Sequence, residues 1–262
     1  NFEVLGHPPL DAIFSQIVQG NHDFFRSSVC AGDIFVDTVL NRDGLTALHV
    51  ACAGADLDFC RFLLEMGADC LAADGDGNTP LHYACRRGSI AVLRLLLAWG
   101  ADDYQSNRVG ALPLHYLCWA NPYTTRQNGQ EYLAPRGEDP SPGRSEREVE
   151  EAVCGLLVIP HGVSGTVERR TWTGETPLHF CMRGHANPTI IRLLVRLGAS
   201  VHSECQAGTS PLSLALLRGG KPLAHLRSVM IETVAQSPAQ TDALRRAKLR
   251  LMDCQLTRNQ CA

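Results

Sequence analysis

The chain contains no apolar run approaching the ~20 residues that a bilayer-spanning helix requires. The longest, Ile90 to Trp99, is interrupted by Arg94, so no membrane insertion is expected. The first residues, Asn1 to Leu10, have neither the pattern of a signal peptide nor the Arg-rich pattern of a transit peptide. Because the chain opens at Asn1 and not at Met, an upstream targeting segment stays possible and an organelle is not excluded. A basic excess is also missing: 24 Lys and Arg stand against 27 Asp and Glu, a formal net charge of −3. That balance argues against a general nucleic-acid binder. Eleven cysteines are present, but they lack the paired spacing of zinc ribbons, and an odd count does not make a disulfide framework. A reducing intracellular compartment is therefore favoured. There is no phosphate-cradling glycine loop, and no Ser or Cys stands in a recognisable nucleophile context. No enzyme, cofactor or small-molecule substrate is expected.

What the chain does have is a repeat. Thr46-Ala47-Leu48-His49, Thr79-Pro80-Leu81-His82, Leu112-Pro113-Leu114-His115 and Thr176-Pro177-Leu178-His179 are variants of one tetrapeptide, with a weaker copy at Ser210-Pro211-Leu212-Ser213. Thr46 to Thr79 is 33 residues, Thr79 to Leu112 is 33, and Thr176 to Ser210 is 34. Leu112 to Thr176 is 64, one period with a 31-residue excess. A glycine precedes each copy (Gly44, Gly77, Gly110, Gly174, Gly208), and a Leu-rich run after it ends in Gly67-Ala68-Asp69, Gly100-Ala101-Asp102 or Gly198-Ala199-Ser200. Proline in the first turn loses no helical hydrogen bond, Thr before it suits an N-cap, and Gly suits the left-handed residue that stops a helix. Each unit thus reads as a turn, two helices and a stop. One unit cannot bury its own apolar face, but a stack can.

The Thr-Pro-Leu-His signature, the following helix pair and the Gly-Ala-Asp end resemble the ankyrin repeat over roughly Asn41 to Gln236. The resemblance implies an all-α solenoid of stacked helix pairs with turn fingers. Residues 1–40 read as a degenerate N-terminal capping repeat with helices at Leu10 to Val18 and Asp23 to Val29, and 41–236 as five ankyrin-like repeats. A proline-rich loop at 121–147 is inserted in the third repeat, whose second helix is expected at Glu148 to Val158. Residues 237–262 read as a C-terminal helix.

The tetrapeptide His and the Cys three residues later (Cys52, Cys85, Cys118) share a helix face, a spacing compatible with metal ligation. Each pair sits in a different repeat, and packed helices lie ~8–10 Å apart, too far to complete one tetrahedral site. In the ankyrin family that His is a structural hydrogen-bonding residue, and a free Cys behaves as a small buried hydrophobe. No metal is expected.

The resemblance places the residue after each tetrapeptide on the concave side: Val50, Tyr83, Tyr116, Phe180 and Leu214. One helical turn on come Ala53, Arg86, Trp119, Arg183 and Leu217. Tyr83, Tyr116, Trp119 and Phe180, edged by Arg86, form an aromatic stripe of the residue types enriched at interface hot spots; packing alone is the competing explanation. The finger tips add Arg42, Arg108 and Trp172, the last with little evident folding purpose and so the leading contact candidate. In the C-terminal helix, Leu244, Ala247, Leu251 and Cys254 line one side, and Leu249, Met252 and Leu256 another, with basic residues between. The second stripe is expected to meet a partner.

The expected function is a non-catalytic protein-protein interaction module, a scaffold or peripheral structural subunit of a multi-subunit assembly. Its contacts would be the concave face, the finger tips and the inserted loop. The alternative is a regulatory adaptor that brings a substrate to an enzyme such as a ubiquitin ligase. Pro222-Leu223-Ala224-His225-Leu226 is faintly similar to the start of a SOCS box, without that box's internal Cys or its later Leu-Pro-rich end.

Overall fold

The structure is a computed structural model that describes residues 9–119, 167–184 and 188–218, with 220, 224 and 226–229. It also describes the backbone of 124–127 and 130–133. The expected helices at Glu148 to Val158 and Asp242 to Leu256 lie outside these residues.

Helices α1 (Leu10–Val18) and α2 (Asp23–Ala31) form the first pair. They are followed by α3 (Ala47–Gly54) with α4 (Leu57–Glu65), and α5 (Pro80–Arg87) with α6 (Ile90–Ala98). Helix α7 (Pro113–Trp119) opens the third tetrapeptide unit. Then come α8 (Pro177–Arg183), α9 (Pro188–Arg196) and α10 (Pro211–Arg218). Helices of seven to nine residues are too short to persist alone. They persist because each stacks on the next: α1 on α3, α3 on α5, α5 on α7, α7 on α8 and α8 on α10 make an inner row, and α4 meets α6 in an outer one. Leu48, Leu63, Leu64, Leu81, Leu93 and Leu96 are almost fully buried between the rows. Each fully buried Leu contributes roughly 1.5–3 kcal/mol, so the stack rather than any single unit supplies the stability.

The turns between units project as fingers. Asn41, Asp74, Asn107 and Thr171 close them by accepting backbone N–H groups two or four residues ahead. Adjacent fingers are joined by one backbone bond each: Gly75 N–H to Asp43 O (2.6 Å), Arg108 N–H to Asp76 O (2.9 Å), Trp172 N–H to Val109 O (3.0 Å) and Gln206 N–H to Thr173 O (2.9 Å). Gly77 shows why glycine recurs there. Its φ is +79°, and a Cβ would sit 3.0 Å from Arg108 N on the next finger.

The third of these bonds crosses the long gap in the repeat, and α7 packs directly on α8. The stack is therefore continuous from the third tetrapeptide to the fourth. The inserted stretch was expected to be a loop. Within it, Thr124–Gln127 (β1) and Gln130–Leu133 (β2) pair as an antiparallel hairpin, with Gln127 opposite Gln130 and Thr124 opposite Leu133. The two residues between the strands are Asn128 and Gly129, a pair favoured in two-residue hairpin connections. This local signal was legible but outweighed by the surrounding prolines.

Among the described residues, Ala55 alone combines a side chain with a left-handed backbone (φ +60°), ending α3 where Gly88 ends α5. Ala55→Gly should raise unfolding free energy by about 1 kcal/mol in urea titration, since a left-handed Cβ costs about that much. Cutting Thr124 to Ser145 down to a short linker should leave helical circular dichroism and the melting transition largely unchanged. Loop closure changes by only ~0.6 kcal/mol per doubling of length. Loss of cooperative unfolding would instead place the segment in the core.

Candidate functional site

Each inner helix starts from the same tetrapeptide geometry. Thr46, Thr79, Leu112 and Thr176 donate their backbone N–H to Nδ1 of the His three residues on, at 3.1–3.2 Å. With Nδ1 accepting, Nε2 carries the proton and donates to a carbonyl of the following unit. The acceptors are Asn78 (3.1 Å), Ala111 (3.2 Å), Arg169 (3.2 Å) and Thr209 (3.0 Å) for His49, His82, His115 and His179. All four histidines are buried, and burial lowers their pKa despite these carbonyls, to about 4 for His82 and His115. At neutral pH they are uncharged hydrogen-bonding struts. The Cys column behind them is buried as well. Burial raises the thiols of Cys52, Cys85 and Cys118, which keeps them protonated. Among the described residues, no group of three His, Cys, Asp or Glu is placed to hold a metal ion.

The shared start aligns the candidate residues. Val50, Tyr83, Tyr116, Phe180 and Leu214 are all half-buried. Three of the rings pack edge-on against the His of the preceding repeat: Tyr83 on His49 (5.5 Å between centroids), Tyr116 on His82 (5.6 Å) and Phe180 on His115 (5.1 Å). The tyrosine hydroxyls turn to the fingers. Tyr83 donates to Asp74 Oδ2 at 2.6 Å, and Tyr116 accepts from Asn107 Nδ2 at 2.9 Å. Burial and the Asp74 carboxylate push the Tyr83 pKa up. Burial works against the Asp74 charge, but donors from Tyr83, Asn78 and Asp76 outweigh it and hold its pKa below the usual value. These rings therefore brace the scaffold with one side and leave the other to the groove.

The next row is more open. Trp119 is 48% exposed and meets Phe180 edge-on at 6.4 Å. Gly184 lets the chain pass there, because a Cβ would fall 2.5 Å from Trp119 Cδ1 and 2.7 Å from its carbonyl oxygen. Arg218 fixes the same corner by donating from Nη1 to the carbonyls of Met182 (2.6 Å), Gly184 (2.7 Å) and Arg183, the open end of α8. Arg183 lies 2.7 Å from Glu175 Oε1; Oε1 receives no well-directed hydrogen bond, so the contact is an ion pair. Arg86 is exposed, lies close enough to the Tyr83 and Tyr116 phenols to influence both, and has no ion-pair partner among the described residues. Leu217 is 74% exposed.

At the finger tips, Arg42 and Arg108 are exposed. Trp172 is 68% exposed, yet it has a folding role that the sequence reading denied it. Its indole N–H donates to Arg108 O at 2.9 Å and its ring lies over Gly110, so it clamps one finger to the previous one. Those partners stand 64 positions away, out of reach of any local pattern. Leu249, Met252 and Leu256 lie outside the described residues.

A further feature escaped the sequence reading: a cleft of about 770 Å³ where α1 and the first inner helix meet, lined by Phe14, Ile17, Val18, Val50 and Ala53 and closed by Tyr83.

A finger-linked stack of helix pairs with a capped His at each start is the geometry of one repeat family. A family model for ankyrin repeats, in three copies, matches residues 13–107, and a single ankyrin repeat model matches residues 173–205. The chain belongs to the ankyrin-repeat family. The three-copy match begins inside α1. No curated protein matches the chain. Ankyrin repeats generally mediate protein-protein interaction and are typically non-catalytic. Among the described residues no helix is long and apolar enough to cross a membrane.

The neutral struts make stability depend on pH. The folded state holds the pKa of His82 and His115 at about 4, against 6.5 for a free imidazole. Only the unfolded chain takes up a proton between those values. Stability is therefore full above about pH 6.5 and falls as pH drops towards 4, by at most roughly 3 kcal/mol for each residue. Urea midpoints measured from pH 7.5 to 4 should decline over that window, and His82→Gln should flatten part of the slope. A flat profile for the unaltered chain would refute the strut assignment.

Proposed function

We propose that this ankyrin-repeat protein is a non-catalytic scaffold, a peripheral structural subunit that holds a neighbouring protein against its inner helix row. One observation carries this reading. Tyr83, Arg86, Tyr116, Trp119, Phe180 and Leu217 stand at equivalent positions of successive inner helices whose geometry is already fixed by internal bonds. Residues fixed before docking lose little entropy on binding, and Trp, Tyr and Arg dominate interface hot spots. The non-catalytic part is supported by the same groove: its thiols are buried and protonated, and its imidazoles are spent on backbone. Arg42, Arg108, Trp172 and the inserted 121–147 segment flank the surface as secondary contacts. The stripe Leu249, Met252 and Leu256 would serve a second neighbour.

Cross-linking mass spectrometry on the native complex tests the assignment. A stoichiometric assembly with cross-links across the groove supports a scaffold, whereas ubiquitin-ligase subunits recovered with transient substrates would make the chain an adaptor. Replacing Trp119 and Arg86 together with Ala should weaken binding of the co-purifying partner by about 2 kcal/mol or more, with melting unchanged. Undiminished affinity in a folded double variant would remove the groove from the interface.

A further inference from the structure

The position one turn past the tetrapeptide ring carries Arg86, Trp119, Arg183 and Leu217 in four repeats, but Ala53, followed by Gly54, in the first. Ala53 lines a cleft of about 770 Å³. Its walls are Phe14, Ile17 and Val18 from α1, Val50 beside Ala53 on α3, and Tyr83 from the next repeat. Val18 stays 44% exposed at its rim. Of the cleft's polar lining, His22 Nε2 lies 2.8 Å from Asp56 Oδ2, His22 Nδ1 is buried without a hydrogen-bond partner, and His49 is bound at both nitrogens. The rest of the lining is mostly apolar, with ample room for a large apolar side chain.

The next register position along the groove is Arg86. It is exposed, and it stands between Tyr83, which closes the cleft, and Tyr116. Of the two carboxylates that act on the same phenols, that of Asp74 is occupied by the Tyr83 hydroxyl and the Asn78 amide, and Asp76 forms no ion pair with Arg86. Arg86 is thus a cation on an aromatic surface, with room for an incoming carboxylate. One repeat further, Trp119 offers an open apolar face. The groove therefore presents, in single file, a cleft, a cation and an aromatic ring, one per repeat.

Packed helices lie about 8–10 Å apart, which sets the step between these features. A polyproline II segment has three residues per turn and rises about 3.1 Å per residue, so one turn covers about 9 Å and every third side chain faces the same way. A β-strand returns to one face every two residues, after about 6.7 Å, and falls out of step. Aromatic-lined grooves are also the usual receptors for polyproline II ligands.

We infer that this end of the groove receives an extended, polyproline II-like protein segment. It carries a large apolar residue for the cleft over Ala53, an Asp or Glu three residues away for Arg86, and a second apolar residue three further on for Trp119. The inference rests on the protein-binding reading above and narrows it to a partner chemistry.

The test is selection of a randomised dodecapeptide phage library on the full chain, followed by fluorescence anisotropy with the most enriched peptide. Enriched sequences should share an apolar residue and an acidic one at a three-residue step. Ala53→Leu, which narrows the cleft, and Arg86→Glu should each weaken binding by about tenfold or more. Val18→Asp at the rim gives a second test of the cleft should Ala53→Leu disturb the fold. A peptide with Lys in place of its acidic residue should regain affinity for the Arg86→Glu variant, while Arg61→Glu on the outer helix α4 should change nothing. A seven-residue step, the mark of a bound helix, would overturn the inference, as would failure to enrich any sequence. Peptides lost with Trp119→Ala but indifferent to Ala53→Leu, Val18→Asp and Arg86→Glu would overturn it and leave the proposed function standing. Indifference to Trp119→Ala as well would count against both.

Discussion

The bond from each tetrapeptide histidine to a carbonyl of the next repeat is the constraint on which the other features depend. Nδ1 accepts the N–H that opens its own helix, so Nε2 has one task left, and a carbonyl of the following unit meets it at 3.0–3.2 Å. This ties the start of every inner helix to the next unit and sets the repeats in register. The fifth copy shows the limit. Ser213 replaces the histidine and still receives the Ser210 N–H at 2.7 Å, but its hydroxyl donates back to Ser210 O within the same turn.

Register and stability come from different sources. A neutral hydrogen bond contributes about 1 kcal/mol net, whereas each buried Leu between the rows contributes more. The histidines and finger bonds therefore choose one stacking geometry among many that apolar burial alone would tolerate. That division explains how the third repeat can carry extra chain. The groups that define register, His115 and the 107–110 finger, meet Arg169 and Trp172 directly, and the additional residues need supply nothing.

Much of this architecture was legible in the sequence because it is local and periodic. Thr79, Pro80 and His82 dictate one helix start within four residues, and a 33-residue period repeats the instruction. Three features were not legible, for distinct physical reasons. Trp172 finds its acceptor and its packing surface on another finger, at a distance no window spans. Arg218 caps the end of α8 through carbonyls some 35 positions earlier, and nothing near it in sequence announces that role. The cleft over Ala53 is walled by α1, by α3 and by Tyr83 of the next unit, so it exists only once three separate segments are packed together. The aromatic stripe was legible as a stripe, but half of each ring turned out to be structural. Tyr83 and Tyr116 had been weighed as contacts or as packing, and the geometry shows the packing: each ring meets a His of the preceding repeat and each hydroxyl meets a finger.

Scaffold and surface are thereby written in separate positions. The histidine and the finger glycine carry the bond and the close approach that set register. The position one turn past the ring touches none of those bonds. This chain uses that freedom fully: Ala53 lines a cleft, Arg86 is a cation without an ion-pair partner among the described residues, Trp119 an open ring, Arg183 a cation neutralised by Glu175, and Leu217 an exposed apolar side chain. No two adjacent repeats present the same chemistry, so a ligand that fits in one register meets a mismatch when shifted by one repeat. A carboxylate slid from Arg86 would land on Trp119 or in the mostly apolar cleft, losing its counter-charge and its hydration together. The groove thus has a reading frame. It is fixed by the same 33-residue step that holds the fold, which is why a partner's spacing, rather than its bulk composition, decides whether it binds.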